Sequence, residues 1–113
     1  MAIPFSLETS THGGVCQLAL AGDVDIACAD ELTARAMDAI NTASAETLVL
    51  DLAQVTFMDS NGIGTLFRIH TACAESGKQM VLRAVPRYVR DVLKITGLDL
   101  VISIEDSNAA PGG

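Results

Sequence analysis

Hydrophobic and polar residues alternate in five short stretches of the chain, a period of two that is typical of β-strands. In the third stretch, for example, Leu48, Leu50 and Leu52 share one face of the strand. The pattern predicts strands at Ile3–Thr9, Val15–Ala21, Thr47–Leu52, Met80–Val85 and Leu100–Ile104.

The segments between the later strands have apolar residues at spacings of three and four, which predicts amphipathic helices. We expect helices over residues 27–43 and 60–76, and a third that begins at Pro86 and ends at Gly97. Their inward-facing residues should be Ile26, Ala29, Leu32, Ala36, Ala39, Ile40 and Ala43, then Ile63, Leu66, Phe67, His70, Cys73 and Ala74, then Val89, Val92, Leu93 and Thr96.

The resulting order, β-β-α-β-α-β-α-β, predicts an α/β fold. The turn residues 10–14 (STHGG) join the first two strands as a hairpin, and each strand–helix–strand unit should give parallel neighbours. The sheet is therefore expected to be mixed. Because its strands alternate rather than being uniformly apolar, the helices should pack mainly on one face. We expect residues 1–106 to form a single domain and residues 107–113 a flexible tail.

Two charged residues lie on the less apolar face of predicted inner strands. Asp51 belongs to the third strand and Arg83 to the fourth. If these strands are neighbours, the two side chains are expected to form an ion pair across the open face.

The charge balance limits the choice of partners. Seven basic and fourteen acidic residues give a net charge of −7, which disfavours nucleic acids and anionic membranes. A membrane span needs about 20 consecutive apolar residues, and no apolar run in the sequence comes near this length. The N-terminal segment has no secretory-signal pattern. We therefore expect a cytoplasmic protein whose Cys16, Cys28 and Cys73 are buried, reduced thiols.

Residues for catalysis, for a metal or for another cofactor are not evident. His12 lies in a turn and His70 on the apolar stripe of a helix, about 15 Å from Ser60 by helix rise. Ser60 does not stand in a G-x-S-x-G nucleophile elbow. The Gly62-Ile63-Gly64 turn has no Walker lysine and no complete G-x-G-x-x-G, so close packing is its simpler explanation. We predict neither enzymatic activity nor a cofactor.

Ser60 stands where the third strand leads into the second helix. A serine there commonly caps the helix by accepting a hydrogen bond from a backbone N–H. The same position suits a phosphoryl group, because free N–H groups and the positive end of the helix dipole face it. Local physics therefore leaves both roles open.

The stretch FMDSNGIG (Phe57–Gly64) closely resembles the signature of anti-sigma factor antagonists, proteins with a STAS domain. Further similarities are the run Gly22–Asp25 (GDVD) after the second strand and the Thr96–Leu98 stop (TGL). The resemblance implies that Ser60 is phosphorylated by a partner kinase. A second Ser or Thr of many relatives is replaced here by Asn61, so Ser60 is the only hydroxyl at the site.

The resemblance also implies the partners and the mechanism. The unphosphorylated protein would bind an anti-sigma factor with a histidine-kinase-like ATPase domain acting as a serine kinase, and so release a sigma factor. Phosphorylation would end the interaction, and a PP2C-type phosphatase would reverse it. The expected partner-binding residues around Ser60 are Asp23, Asp25, Asp59, Asn61, Gly62, Ile63 and Gly64.

Three alternatives predict different behaviour. The domain could be an unphosphorylated docking subunit of a membrane complex of the lipid-transport type. It could bind a small ligand or nucleotide at the turn of Gly62 and Gly64. It could also be a thiol enzyme, since Cys28 near a helix start could have a lowered pKa.

Overall fold

The computed structural model describes residues 3–42 and 44–105 and shows five strands, three α-helices and a 3₁₀ turn. The strands are β1 (Ser6–His12), β2 (Val15–Val24), β3 (Thr47–Met58), β4 (Gln79–Arg83) and β5 (Ser103–Glu105). The α-helices are α1 (Ala29–Ile40), α2 (Ser60–Glu75) and α3 (Arg87–Thr96), and the 3₁₀ turn is Leu98–Leu100. The predicted order of elements is confirmed. The expected tail, residues 107–113, lies outside the described residues, as does Ala43.

The strands form one mixed sheet in the order β1-β2-β3-β4-β5. β1 pairs antiparallel with β2, and every later pair is parallel. Gly13 and Gly14 connect the hairpin with φ of 55° and 83°. Two consecutive residues with positive φ match the tight turn whose twist suits a hairpin, so the glycines here are required by conformation.

The core lies between the helices and one face of the sheet. One cluster of buried side chains joins residues of all three helices to the inward side of the strands, with Leu18, Leu50 and Leu82 fully buried at its centre. The opposite face carries Gln17 and Asp51, which are half-buried. This arrangement confirms the prediction of helices on one face. Within the described ranges, no helix combines the length and the apolar character needed to cross a bilayer.

Arg83 makes its ion pair with a different partner from the expected one. Asp51 and Arg83 are direct neighbours in the β3–β4 register and therefore share a face. The Arg83 guanidinium instead donates to Glu105 Oε1 at 2.9 Å and to Gln17 Oε1 at 2.7 Å. Asp51 Oδ1 accepts a hydrogen bond from the Ala53 N–H at 2.9 Å. The predicted Asp51–Arg83 pair is thus wrong, because β5 supplies a competing carboxylate.

β3 is twice as long as predicted. It continues to Met58, with register shifts against β2 between Ala19 and Ala21 and again between Gly22 and Asp23. These bulges change the period, so that the buried residues after the regular part are spaced by three, at Leu52, Val55 and Met58. A search for period two does not detect such a strand.

The helix ends and the last strand also differ from the prediction. α1 begins at Ala29, and Ile26 lies before it with 71% of its surface exposed instead of joining the apolar stripe. Gly97 ends α3 with φ of 79°, as expected of a glycine stop. The next residues form the 3₁₀ turn, so β5 begins only at Ser103 and Leu100 is 86% exposed.

α2 is rotated relative to the predicted stripe. Its buried residues are Gly62, Ile63, Thr65, Leu66, Ile69 and Cys73. Phe67 and Ala74, which were expected inside, are exposed. His70 is half-buried, and its ring centroid lies 6.4 Å from that of Phe67, consistent with the predicted structural role. The rotation follows from the close packing of Gly62 described below.

Candidate functional site

The candidate site lies at the C-terminal ends of β2 and β3, where α2 begins. A backbone hydrogen bond from the Asp59 N–H to the Val24 carbonyl, 3.2 Å long, joins the two strand ends at this point. Strand ends of this kind place loop residues beside each other on a rigid frame. The arrangement brings the residues around Asp23 close to the start of α2, where Ser60 lies.

Asp59, not Ser60, is the N-cap of α2. Its backbone is extended, and its Oδ1 accepts a hydrogen bond from the Gly62 N–H at 3.0 Å. The other carboxylate oxygen lies 3.5 Å from Asn61 Nδ2. The interpretation of Ser60 as the cap is therefore wrong: the aspartate one residue earlier has the geometry to reach the helix N–H.

Ser60 is the first helical residue and is exposed. Its hydroxyl has no hydrogen-bond partner among residues 3–42 and 44–105. Because Asp59 satisfies the helix start, the Ser60 hydroxyl remains free in a fixed position at the positive end of the helix dipole. The site thus presents an exposed hydroxyl oxygen at the start of α2.

The two glycines of the turn have different roles. A Cβ on Gly62 would lie 2.6 Å from Met58 Cγ and 2.8 Å from the Val24 carbonyl oxygen, whereas one on Gly64 would meet nothing within 4 Å. Gly62 and Ile63 are buried beneath the site, while Asn61 is exposed. Close packing of the helix start on the sheet accounts for Gly62, and Gly64 needs no such explanation.

Asp23 organises the neighbouring strand end. Its Oδ1 accepts a hydrogen bond from the Thr56 hydroxyl at 2.7 Å, and its Oδ2 accepts one from the Ile3 N–H at 3.2 Å. The preceding Gly22 has φ of 86°, and a Cβ there would overlap the backbone of Pro4. Asp23 therefore links the N-terminal segment, β2 and the bulged end of β3 next to the site.

Asp25 orders the loop that follows β2. Its Oδ1 accepts a hydrogen bond from the Ala27 N–H at 2.9 Å, and its carbonyl accepts one from Cys28 Sγ at 3.4 Å. Burial raises the pKa of the Cys28 thiol, and the negative charge of Asp25 adds to this, although the hydrogen bond to the Asp25 backbone opposes it. The expectation of a lowered pKa at Cys28 is therefore wrong.

A cavity of about 260 Å³ adjoins these residues on the β2 side. Three carboxylates line it, those of Asp23, Asp25 and Glu31. Such a cavity disfavours the phosphates of a nucleotide, because like charges repel at short range. Within the described part of the chain, no group of three or more His, Cys, Asp and Glu residues has the arrangement of a metal site.

Exposed apolar side chains lie at the same edge of the sheet. Ile26 follows β2 and is 71% exposed, Phe57 lies near the end of β3 and is 49% exposed, and Tyr88 in the first turn of α3 is 39% exposed. Partial burial and the charge of Asp23 raise the pKa of the Tyr88 hydroxyl, against a lowering by a hydrogen bond from the Met58 backbone. Tyr88 thus lies beside Asp23 and Met58.

Sequence reasoning missed these three residues for identifiable reasons. The spacing of apolar residues assigns Ile26 to the inward stripe of α1. Phe57 lies beyond the bulges of β3, where the strand no longer alternates with period two. Tyr88 is 28 residues from Ser60 in sequence, so that only the parallel pairing of β3 with β4 brings their elements together. An apolar residue in the short segment between the second strand and the first helix would be a signal for Ile26.

Comparison with known proteins assigns the family. A family model described as the STAS domain matches residues 6–110, so the chain belongs to the STAS domain family. Over 101 residues it is 29% identical to an anti-sigma F factor antagonist of Paenibacillus polymyxa, a match covering 89% of this chain and 86% of that protein.

Solved structures show the same fold. An anti-sigma factor antagonist from Mycobacterium paratuberculosis superposes with a TM-score of 0.80 at 22% identity, covering 92% of this chain and 89% of that one. The Bacillus cell fate determinant SpoIIAA in its phosphorylated form superposes with a TM-score of 0.71 at 20% identity, covering 95% and 96% of the two chains.

Proposed function

We propose that the protein is an anti-sigma factor antagonist that is switched off by phosphorylation of Ser60. In this proposal the unphosphorylated form binds an anti-sigma factor in the cytoplasm, and a sigma factor is released. The anti-sigma factor carries a histidine-kinase-like ATPase domain and transfers a phosphoryl group from ATP to Ser60. A PP2C-type phosphatase removes it. The protein itself is a substrate and a regulator, and catalyses nothing.

One observation carries the proposal: the Ser60 hydroxyl is exposed, has no hydrogen-bond partner in the described chain, and is held at a helix start capped by Asp59. A kinase can reach such an oxygen without unfolding the helix. The relative from Paenibacillus polymyxa is an anti-sigma F factor antagonist, which supports the same assignment here.

The surface around Ser60 suits a protein partner. Ile26, Phe57 and Tyr88 offer apolar area, and apolar or aromatic residues commonly anchor protein interfaces. In the proposal, Asp23, Asp25, Asp59 and Asn61 contribute the polar rim, and Gly64 lets the partner approach the helix. Gly62 and Ile63, being buried, contribute by fixing the position of the helix start.

Phosphorylation changes this surface more than it changes the fold. A phosphoserine adds about −1.5 to −2 charges beside Asp59, on a chain whose net charge is already −7. A hundredfold loss of affinity requires about 2.7 kcal/mol, which an unpaired phosphate at a desolvated interface supplies.

Incubation with Mg-ATP and the candidate anti-sigma factor, followed by intact-protein mass spectrometry, tests the modification. We expect the wild type to gain one phosphoryl group and Ser60→Ala to gain none. Ser76→Ala, which removes an exposed hydroxyl at the other end of α2, is the matched control and should be modified like the wild type. Phosphorylation of Ser60→Ala would refute the site.

Titration calorimetry with the same partner tests the switch. Ser60→Ala should bind like the unmodified protein, while phosphorylated protein should bind about 100-fold more weakly, a loss of about 2.7 kcal/mol. Equal affinity of the two forms would contradict the proposed switch. Co-purification with a transporter ATPase and no gain of phosphate would instead favour the docking-subunit alternative.

A further inference from the structure

The outer edge of the sheet at β1 is open. On its inner side β1 pairs with β2 along all seven residues, from Ser6 opposite Ala21 to His12 opposite Val15. On its outer side it pairs with no strand of the described chain. All of its residues except Leu7 are exposed. A row of backbone N–H and C=O groups is therefore available for another strand.

β1 has few of the features with which proteins usually protect such an edge, and its titratable side chains are those of Glu8 and His12. Exposed edge strands are commonly short, bulged, or interrupted by lysine or proline. The β1 register runs without a shift, and residues 6–12 (SLETSTH) contain neither lysine nor proline. The opposite edge differs, since β5 has only three residues. β1 is thus the edge better suited to accept a partner strand.

The residues of β1 are complementary to a second β1 in antiparallel orientation. With the two-fold axis at Ser10, the opposed pairs are Glu8 with His12, Thr9 with Thr11, and Ser10 with Ser10. Each pair joins side chains that can hydrogen-bond directly across two strands, and the Glu8 carboxylate can accept from the His12 imidazole N–H. No like charges of the two β1 strands face each other in this register, and Thr9 Oγ1 also accepts a hydrogen bond from Arg35 Nη2 at 2.6 Å.

We propose that two copies of this protein associate through their β1 strands, paired antiparallel about Ser10, to form one continuous sheet. Opposed residues of an antiparallel pair point to the same face, so both helix layers remain on the same side.

This dimer leaves the Ser60 sites free. Ser10 lies opposite Gln17 near the start of β2, whereas Asp23 and the candidate site lie at the other end of that strand. The inference therefore goes beyond the proposed function and does not depend on it. It adds that one assembly presents two copies of the regulatory surface.

The expected affinity is modest and depends on salt. The contact is a single pair of strands, and each copy carries a net charge of −7, so that the copies repel each other at long range. Added salt screens this repulsion, while the short-range backbone hydrogen bonds are affected less. We expect association in the micromolar range that strengthens between about 10 mM and about 150 mM salt.

Sedimentation equilibrium of the purified chain tests the association. The wild-type mass should rise with concentration from 11.8 kDa towards twice that value. Ser10→Lys places two ammonium groups together on the axis and should weaken association at least about tenfold, by charge repulsion at the edge. Ser6→Lys adds the same charge to an exposed residue of the same strand, outside the pairs Glu8 to His12, and should behave like the wild type.

Cross-linking tests the register. Under mild oxidation, Ser10→Cys should form a disulfide-linked dimer readily, because opposed Cα atoms of paired strands are about 4.5–5.5 Å apart, within disulfide range. Ser6→Cys should not, because its two copies would lie far apart. A wild type that remains monomeric at hundreds of micromolar, or equal cross-linking of the two variants, would overturn the proposal.

Discussion

At the scale of single residues, two neighbours divide the work at the start of α2. Asp59 caps the helix through a hydrogen bond to the Gly62 N–H, and Ser60 leaves its hydroxyl exposed. Serine and aspartate are about equally good caps, so their order in the sequence does not decide which one acts. The backbone does: Asp59 has the extended conformation of an N-cap, and Ser60 is already helical.

Substitution of the two residues should therefore have unequal effects on stability. Asp59→Ala removes the cap and should lower the free energy of unfolding by about 1 kcal/mol. Ser60→Ala loses no hydrogen bond within the described chain and should change it by less than about 0.5 kcal/mol. Urea denaturation measures both. Equal losses would show that Ser60 shares the capping role.

The glycines provide a second matched pair. Gly62→Ala should destabilise the fold by about 1–3 kcal/mol, because the added methyl meets Met58 Cγ and the Val24 carbonyl. Gly64→Ala meets nothing within 4 Å and should stabilise the fold by up to about 1 kcal/mol through helix propensity. Thermal unfolding should show a lower melting temperature for Gly62→Ala and an equal or higher one for Gly64→Ala. A lower melting temperature in both variants would contradict the packing described for these two glycines.

At the scale of elements, the packing of α2 on the sheet decides which residues are inside. The sequence places an apolar stripe on this helix correctly at Ile63, Leu66 and Cys73. It does not predict that Ile69 is buried and Phe67 exposed. The close approach of Gly62 to β2 and β3 sets the rotation of the helix, and a contact between distant segments is not encoded in the period.

The buried thiol on this helix makes stability depend on pH. Burial raises the pKa of Cys73 from 9.0 to about 11, partly offset by the charge of Lys78. Between these values the unfolded chain loses a proton that the folded protein keeps, so the free energy of unfolding falls as the pH rises. The effect should reach about 2 kcal/mol at pH 11.

Cys73→Ala isolates this contribution, since the other groups that titrate at high pH are present in both proteins. Urea denaturation at about pH 8 and about pH 10.5 measures the free energy of unfolding at each pH. Its decrease between the two pH values should be smaller in Cys73→Ala than in the wild type. Identical losses in the two proteins would mean that the thiol does not titrate differently on folding.

At the scale of the whole molecule, the net charge and the dipole of α2 together decide whether the fold tolerates a negative group at residue 60. A carboxylate or phosphate at residue 60 is exposed and faces the positive end of α2, although Asp59 and the net charge of −7 oppose it. These effects partly cancel, so modification at this position should leave the fold intact.

Ser60→Asp should accordingly change the free energy of unfolding by less than about 1 kcal/mol. Thr65→Asp is the contrasting control: Thr65 is fully buried on the same helix and donates to the Asn61 carbonyl, so a charge there should cost more than about 3 kcal/mol. Denaturation followed by circular dichroism measures both. Comparable destabilisation would refute the view that residue 60 can carry charge without disturbing the fold.

The order of elements, the hairpin, the mixed sheet and the position of Ser60 at a strand-to-helix junction can all be predicted from the amino-acid sequence. Periodicity and turn residues report these features because they depend on near neighbours in the chain. Other features are visible only in the folded chain: Asp59 is the cap, Arg83 pairs with Glu105, and bulges extend β3. The same holds for the exposure of Ile26, Phe57 and Tyr88 at the edge where Ser60 lies. These features depend on contacts between distant segments and on local backbone geometry, which the hydrophobic pattern does not specify.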